Sequence, residues 1–335
     1  MNYHVRAYTS NDKALWNECV RKARQSSFLF EREFMDYHAD RYHDASLFLL
    51  NNKEETVALL PACVSRVDRL SVESHGGLTY GGLLLMPGAM TVCVGECLQA
   101  CVAYYKSQGF KNLLYKPLPH IYHKYPSEED LYWLFRFGAV LEARAVSAVI
   151  DLRKAYTFST LRQRKVRKAC KSNQLQLHER IDYLPHYWQI LQNVLKERHQ
   201  TAPVHTFAEM QRLMQEFPER ITLHVVTTLL AEDGLDEQAQ QEKVVAGCIL
   251  FHTDKVKHVQ YIATNEKGRE MGALDWLFAN LISSCKDTAQ QTPYFDFGIS
   301  TENKGRYLNE GLIFQKEGFG ARAVCYDAYR LNFED

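Results

Sequence analysis

The chain has 335 residues, of which 46% are hydrophobic and 24% are charged, proportions typical of a water-soluble protein with room for two domains. Its 40 basic and 40 acidic residues cancel, which excludes a protein that attracts DNA or a membrane surface through its overall charge. The first residues lack a basic-then-apolar signal, and no apolar run is long enough to span a bilayer. We therefore expect a cytoplasmic protein without membrane insertion.

The first half of the chain alternates strand and helix signals. A strand is predicted at 3–8, followed by a helix that Ser10 or Asn11 caps and by a second helical piece at 31–39. The remaining predicted elements are a hairpin of strands at 46–51 and 56–67, a strand at 83–86, a helix at 91–108, a strand at 112–116, a helix opened by the capping box Ser127-x-x-Asp130, and a strand at 139–151.

The second half repeats this order of elements. The predictions are a strand at 174–179, helices at 183–199 and 206–217, strands at 221–230, 244–251 and 256–263, a helix at 271–285, a strand at 294–298, a short helix at 305–313 and a final strand at 320–333. The acidic, Gln-rich segment 231–242 is predicted to be a solvated loop. The predicted order of elements in each half is thus one strand, two helices, three antiparallel strands, and then helix, strand, helix and strand.

Nine cysteines fit a reducing compartment as free thiols, because none forms a CxxC pair. Cys93, Cys97 and Cys101 share a four-residue spacing that places them on one helix face, which is compatible with metal binding or with a packing face of small residues. The apolar neighbours Leu98 and Val102 favour packing. No cluster of His, Cys and carboxylate residues has metal-ligand spacing, so we expect no metal site.

Residues 293–324 combine an apolar strand, a polar loop and a glycine-rich segment. Asp296 is predicted at or near the carboxyl end of the strand, and hydrogen-bonding residues follow at 300–303, where α/β folds usually bind ligands. The stretch resembles the carboxyl end of the Fem family of peptidyl- and aminoacyltransferases and of related GNAT acyltransferases. The resemblance lies in Asp296-Phe297-Gly298, in Gly311-Leu312 and in Lys316-x-Gly318-Phe319-Gly320.

The repeated order of elements is similar to a duplicated GNAT acyltransferase core. The resemblance implies an α/β (α+β) fold of two tandem GNAT-like domains, each a mixed, mostly antiparallel sheet flanked by helices. The domains are expected at 1–155 and 156–335, with the final strand packing back on the first domain. The resemblance also implies that the strands at 256–264 and 294–298 separate from each other and so admit a donor between them.

The implied activity is transfer of an acyl or aminoacyl group from an activated donor to the amine of a small molecule or peptide. Direct attack by an amine needs a proton acceptor, an oxyanion donor and positioning rather than a Ser-His-Asp triad. The residues predicted to supply these functions are Asp296, Glu302, Tyr261 and Lys316. The alternative for Asp296 is a structural cap that holds the glycine-rich loop.

A basic segment at 161–171 resembles the arginine-rich helix that follows the domain crossover in Fem proteins. It is predicted to contact an anion such as the phosphates of a nucleotide sugar, a lipid-linked precursor, coenzyme A or transfer RNA. The alternative is a solvated helix face. The residues predicted to bind substrate, in this helix and elsewhere, are Arg164, Arg167, Lys168, Arg32, Tyr37, His38, Arg198, His205, Ser300 and Asn309.

No tightly bound cofactor is expected, and acyl-CoA or aminoacyl-tRNA is the expected donor. The GNAT phosphate loop has the form Arg/Gln-x-x-Gly-x-Gly/Ala, which Gly268, Arg269 and Gly272 match only in part. A simple glycine turn is the alternative for these residues. Two rival functions remain open, an acetyl-CoA-dependent GNAT N-acetyltransferase and a non-catalytic module that binds a peptide or cell-envelope precursor.

Overall fold

The chain folds into two compact units, each built from segments that are not contiguous in sequence. The computed structural model describes residues 3–231 and 240–333. Unit 1 comprises Met1–Ser147, Ile299–Asn309 and Val324–Asp335, and unit 2 comprises Ala148–Gly298 and Glu310–Ala323. The chain therefore returns to unit 1 twice after entering unit 2. The single division predicted at 155/156 stays a prediction.

The strands lie close to the positions that the sequence indicates. Their bounds are β1 Tyr3–Ala7, β2 Leu47–Asn51, β3 Thr56–Leu60, β4 Cys63–Val64, β5 Ser71–Glu73, β6 Leu84–Leu85, β7 Asn112–Tyr115, β8 Val140–Asp151, β9 Leu175–Glu179, β10 Ile221–Ala231, β11 Gln240–His252, β12 Val256–Thr264, β13 Tyr294–Ile299, β14 Thr301–Glu302, β15 Tyr307–Leu308 and β16 Arg322–Asn332.

The helices are also near their predicted positions. Their bounds are α1 Lys13–Lys22, α2 Arg32–Met35, α3 Thr91–Ser107, α4 Glu129–Arg136, α5 Thr160–Ser172, α6 Leu184–His199, α7 Phe207–Glu216, α8 Glu266–Met271, α9 Ala273–Ser284 and α10 Glu310–Glu317. None of the helices in the part of the chain that the structure describes has the length and apolar character needed to cross a membrane.

Unit 1 contains an antiparallel sheet in the order β1-β2-β3-β6. Helix α3 packs on this sheet with Val94, Leu98 and Cys101, which are buried at helical spacing. A second set of strands in unit 1 includes β7, which pairs in parallel with β5 and antiparallel with β16. The three cysteines of α3 are buried, as a packing face predicts.

Unit 2 contains the antiparallel ladder β9-β10-β11-β12, to which β13 adds in parallel. Helix α9 buries Leu277, Phe278 and Leu281, which the 3.6-residue period of its sequence predicts. The described register between β12 and β13 joins 256–258 to 294–296 and ends there, although β12 continues to Thr264 and β13 to Ile299. The two strands therefore part, as the GNAT resemblance implies.

Three local predictions are wrong. The capping box does not form, because α4 begins at Glu129 and the buried Asp130 carboxylate instead accepts a 2.6 Å hydrogen bond from the Tyr115 hydroxyl. Strand β3 ends at Leu60, because Pro61 has no N–H for the ladder. The helix expected at 305–313 starts at Glu310, because the positive φ angles of 303–305 turn the chain into the short β14–β15 pair.

Both ends of the segment 231–242, which the sequence predicts to be a loop, belong to strands. Gln241 and Glu242 belong to β11 and pair with Leu230 and Leu229 of β10. Residues 232–239 lie outside the described part of the chain.

Candidate active site

A cavity of about 180 Å³ lies where β12 and β13 part, and residues of unit 2 alone line it. Strand β12 contributes Ile262 and Thr264 to its wall, and α9 contributes Leu274. Helix α10 contributes Leu312 and Lys316. The parting of two strands in the middle of a sheet thus produces a mostly apolar cavity with an amine in its wall.

Three phenylalanine rings pack against one another in one wall of this cavity. The rings of Phe297 and Phe319 are stacked with centroids 5.5 Å apart, and Phe278 of α9 meets Phe297 edge-on at 5.1 Å. Side chains alternate between the two faces of a strand, so Phe295 and Phe297 point to the face opposite that of Asp296. The Phe-Asp-Phe pattern of β13 therefore supplies an aromatic wall on one face and a carboxylate on the other.

Lys316 is the buried cation of the cavity. It lies in the last turn of α10, is 5% exposed, and its Nζ donates a 2.8 Å hydrogen bond to the Gly298 carbonyl oxygen. Burial lowers the pKa of Lys316 to about 8, and the charge of Asp296 opposes this shift. Both protonation states are therefore populated at mildly basic pH.

Asp296 is buried in the middle of β13 rather than exposed at its end. Its exposed fraction is 0%, one carboxylate oxygen accepts a 2.8 Å hydrogen bond from the Gly298 N–H, and the other lies 2.9 Å from His258 Nδ1. The sequence predicts Asp296 at or near the carboxyl end of this strand, whereas β13 continues to Ile299, and the predicted catalytic role of Asp296 stays a prediction.

His258 is a component of the site that the sequence analysis missed. Its side chain is 13% exposed and forms an ion pair or hydrogen bond with Asp296 according to its protonation. The two residues are 38 positions apart in sequence and meet only because β12 and β13 pair in parallel with His258 opposite Asp296. Predicting the two strands does not predict which of their residues lie opposite each other, so no local sequence pattern indicates that His258 meets Asp296.

Tyr261 and His205 form a second pair in unit 2. The Tyr261 oxygen lies 2.8 Å from His205 Nδ1 and accepts a hydrogen bond from the His205 backbone N–H at 3.3 Å. The tautomer of His205 decides which of the two atoms donates in the shorter contact. Burial raises the pKa of the Tyr261 hydroxyl above its ordinary value. The structure thus joins one predicted catalytic residue to one predicted substrate contact.

The remaining predicted residues of the 296–309 stretch belong to unit 1, whereas Asp296 and Lys316 belong to unit 2. Glu302 is exposed on β14 and accepts a 3.3 Å hydrogen bond from Asn309 Nδ2. Ser300 is buried, and its backbone N–H donates to the Val146 carbonyl oxygen at 2.8 Å. Their roles in binding or catalysis stay predictions.

Arg32 is a structural residue of unit 1, which corrects its prediction as a substrate contact. Its side chain is fully buried, and its guanidinium carbon lies 3.4 Å from the ring centroid of Tyr8 and 4.2 Å from that of Trp16. The guanidinium also forms an ion pair with Asp44. Cation–π contact on two sides and a carboxylate partner leave no surface for a ligand.

Tyr37 and His38 lie beside each other in unit 1, with ring centroids 4.3 Å apart. His38 is 1% exposed and its ring packs edge-on against those of Tyr42 and His75. His38 therefore occupies a core position, and its predicted contact with substrate stays a prediction. Tyr37 is half-buried, and its predicted contact with substrate stays a prediction.

Helix α5 has one buried arginine and an exposed basic face. Arg164, Arg167 and Lys168, the predicted anion contacts, are exposed. Arg162 on the opposite face is buried and forms an ion pair with Asp275 in the first turn of α9. The sequence analysis did not single out Arg162, although it shares one helix face with the apolar Val166 and Ala169. Arg198 lies in α6, and its side chain is outside the described residues.

The predicted phosphate-loop glycines have structural roles. The Gly268 N–H donates a 2.9 Å hydrogen bond to the Asn265 side chain, which caps α8, and a Cβ at Gly268 would overlap the Val245 carbonyl oxygen. Gly272 has a φ of 71° and links α8 to α9. The Arg269 guanidinium donates a 3.2 Å hydrogen bond to the Thr264 carbonyl oxygen. A glycine turn accounts for Gly268 and Gly272, and donor contact stays a prediction.

A family model for the acetyltransferase (GNAT) domain matches residues 159–307, which include β12, β13 and the helix α9 beside the cavity. This part of the chain is thus similar to a GNAT acetyltransferase domain. The predicted GNAT superfamily, acyltransferase activity and α/β fold are therefore confirmed. No curated protein matches the sequence. Among the described residues, no group of three or more His, Cys, Asp and Glu side chains is arranged to hold a metal ion.

Solved structures with this GNAT-like fold cover nearly the whole chain. FemX is 10% identical and matches 98% of this chain and 97% of its own with a TM-score of 0.69. A tandem GNAT protein from the clavulanic acid biosynthesis pathway is 9% identical and covers 99% of both chains with a TM-score of 0.52. L-PGS from Bacillus licheniformis is 14% identical over 87% of this chain and 85% of its own, with a TM-score of 0.53. The chain is thus Fem-like and tandem-GNAT-like in fold.

Proposed function

We propose that this protein is an N-acyltransferase that moves an acyl or aminoacyl group from an activated donor to an amine, and that the donor binds in the cavity of unit 2. The observation that carries the proposal is the buried Lys316 ammonium in a cavity opened by the parting of β12 and β13. A cation in an apolar, partly water-free wall stabilises a developing oxyanion far more than the same cation does in water.

The donor is proposed to be acyl-CoA or aminoacyl-tRNA. Beyond His258, the edge of β12 runs along the cavity, where an extended donor arm can take hydrogen bonds from a strand that β13 has left. The tandem GNAT structure of similar fold is described as the form without acetyl-CoA, which links that protein to coenzyme A, and the likeness to it favours a coenzyme A donor here. The likeness in fold to FemX favours an aminoacyl donor. We also propose the division of the chain into two GNAT-like domains at 1–155 and 156–335.

Different residues of unit 2 are proposed to stabilise the oxyanion, to keep Lys316 charged and to bind the acceptor. Protonated Lys316 stabilises the negative charge that forms on the carbonyl oxygen when the amine attacks. Asp296 holds Lys316 in its charged form and is itself held by His258 and the Gly298 N–H. The Tyr261–His205 pair offers a hydroxyl and an imidazole for hydrogen bonds to the acceptor. The proton of the amine leaves to a side chain or to water.

The test is release of thiol from acetyl-CoA, and in parallel transfer from alanyl-tRNA, in the presence of a polyamine, an amino sugar and a lysine-containing peptide. Lys316→Met should lower the rate by about 100-fold, the usual loss when one oxyanion-stabilising group is removed. Lys316→Arg should retain part of the rate because it keeps the charge.

The matched control is Lys286→Met, since Lys286 is exposed in the same unit. Equal rates for the Lys316→Met and Lys286→Met variants would contradict the role of Lys316. Tight binding of a peptide without turnover of either donor would contradict the enzyme and support the binding module.

A further inference from the structure

The amine of Lys316 is itself a chemical acceptor placed inside the proposed donor cavity. Its Nζ is buried among apolar side chains of β12, α9 and α10, and it lies within hydrogen-bond distance of the Gly298 carbonyl oxygen. We propose that Lys316 is a site of self-acylation, at which Nζ accepts the acyl group of a donor bound in the same cavity. This inference rests on the proposed function, because the donor must enter the cavity.

The backbone around Lys316 holds the amine in a defined place. The Phe319 N–H donates to the Lys316 carbonyl oxygen at 3.0 Å, and the Gly318 carbonyl oxygen accepts a 2.7 Å hydrogen bond from the Ser159 N–H. The stacked rings of Phe297 and Phe319 close one side of the cavity. A donor carbonyl in a cavity of about 180 Å³ is therefore confined close to the amine.

The protonation of Lys316 favours nucleophilic attack over that of exposed lysines. With its pKa lowered to about 8 by burial, about half of the Lys316 side chains are neutral at pH 8. An exposed lysine with a pKa near 10.4 is neutral in roughly one molecule in 250 at that pH. The titratable group whose charge acts on Lys316 is Asp296 of β13, which in turn contacts His258 of β12.

The reaction balances without any further reagent. The ammonium first gives one proton to solvent, and the neutral amine attacks the carbonyl carbon of the thioester. A C–N bond forms and the C–S bond breaks, so that the sulfur leaves with the electron pair. The nitrogen then gives a second proton to that thiolate, and the products are an amide on Lys316 and a free thiol. With an aminoacyl ester, the C–O bond to the ribose breaks in the same way.

The amide differs from the amine in charge and in size. It carries no positive charge, so it cannot stabilise an oxyanion, and it leaves the buried Asp296 carboxylate with one cation fewer nearby. The added acyl group also fills part of the donor cavity. Self-acylation in the absence of an acceptor should therefore reduce transfer to external amines in proportion to the fraction of modified protein.

The experiment exposes the full chain to acetyl-CoA, and in parallel to alanyl-tRNA, at pH 8 in phosphate buffer, which contains no amine. Peptide mass spectrometry then follows the modification of Lys316 and of the exposed Lys165 and Lys286 over time. Lys316 should be modified about 100-fold faster than either exposed lysine, in line with its larger neutral fraction. In urea-unfolded protein, which has no cavity, this preference should disappear.

Two variants separate the chemistry from a general loss of structure. Lys316→Arg removes the nucleophile and should leave only the slow modification of exposed lysines. Leu312→Trp keeps Lys316 but fills the cavity that Leu312 lines, and should slow the modification of Lys316 at least 10-fold. Circular dichroism of both variants checks that they are folded. If either variant is unfolded, the relative modification rates of Lys316, Lys165 and Lys286 in the parent protein decide the question.

The outcomes also separate this inference from the proposed function. Transfer to an external amine without preferential modification of Lys316 would overturn self-acylation and leave the transferase standing. Modification of Lys316 without transfer to any amine would support self-acylation and count against the proposed function. Absence of both would overturn both.

Discussion

At the scale of single residues, the site depends on charges that are buried close to one another. Asp296 has no exposed surface and Lys316 has 5%, and burial of one without the other would cost several kcal/mol. Of the four residues predicted to be catalytic, Lys316 alone lines the cavity of unit 2. Asp296 does not line it, and its negative charge raises the pKa of Lys316 against the effect of burial.

The pH dependence of transfer should report the charge of Lys316. Stabilisation of an oxyanion needs the protonated amine, so the rate under single-turnover conditions should fall as pH rises through about 8, the lowered pKa of Lys316. In Lys316→Arg the guanidinium stays charged, and this fall should move to higher pH. A rate that instead rises through pH 8 would show that neutral Lys316 acts as the base.

The Asp296→Asn variant should be much less stable than the parent. Removal of the carboxylate leaves Lys316 buried without its counter-charge and breaks the contact with His258, a loss of about 3–5 kcal/mol for a buried pair. The pKa of Lys316 should fall further, so the fall in rate should begin at lower pH. Urea unfolding and the pH profile measure the two effects.

Asp254→Asn is the control for Asp296, because its ion pair with Arg220 is exposed and should contribute little. If Asp296→Asn unfolds at the same urea concentration as Asp254→Asn, the buried pair does not stabilise unit 2.

At the scale of elements, helix starts and strand register determine where polar groups are placed. The start of α4 illustrates this, because the expected capping residue Asp130 points inward to Tyr115 of β7. Tyr115 also accepts a 2.7 Å hydrogen bond from the Leu83 N–H next to β6. One buried tyrosine thus connects three elements, which the local capping pattern does not reveal.

The stability of unit 1 should fall between about pH 4 and pH 6 because of Asp130. Burial raises the pKa of this carboxyl from 3.8 to about 6, so the folded state binds a proton that the unfolded state releases over this range. The stabilisation is complete below pH 4 and is lost as pH rises through 6, a difference of about 3 kcal/mol.

Asp130→Asn tests this linkage. The amide oxygen still accepts from the Tyr115 hydroxyl but does not titrate, so the variant should be more stable than the parent at pH 7 and similar at pH 4. The measurement is the difference in unfolding free energy between the two proteins at several pH values. A constant difference from pH 4 to pH 7 would exclude Asp130 as the titrating group.

At the scale of the whole molecule, 40 basic and 40 acidic residues leave no net charge, so attraction of an anionic donor must come from local patches. The exposed face of α5 is such a patch, whereas the buried Arg162 on its other face holds α5 to α9. The same helix thus combines a structural arginine with cations that are exposed to solvent or a ligand.

The triple variant Arg164→Ala, Arg167→Ala, Lys168→Ala should weaken the binding of a phosphate-bearing donor and flatten its salt dependence, because fewer counterions are released. Folding should be unaffected, since all three side chains are exposed. Binding of acetyl-CoA and of transfer RNA at several salt concentrations measures the effect. An unchanged salt slope for both ligands would indicate a solvated helix face without a binding role.

The sequence by itself determined the superfamily and the order of elements. The 3.6-residue period of α9, the alternation in β13 and the glycines around Lys316-x-Gly318-Phe319-Gly320 are local patterns, and local patterns follow from backbone geometry and side-chain periodicity. The resembling motif contains Lys316, and the expected strand order indicates Tyr261 as a further candidate site residue.

Only the tertiary structure decided which of these residues meet and which are buried. Asp296 pairs with His258 through a parallel register 38 residues apart, and Arg32 is enclosed by Tyr8 and Trp16 from other elements. Burial and pKa shifts arise from the packing of segments that are distant in sequence, and no short-range pattern encodes that packing. The roles proposed for Asp296 and Lys316 therefore depend on the fold and not on any local sequence pattern.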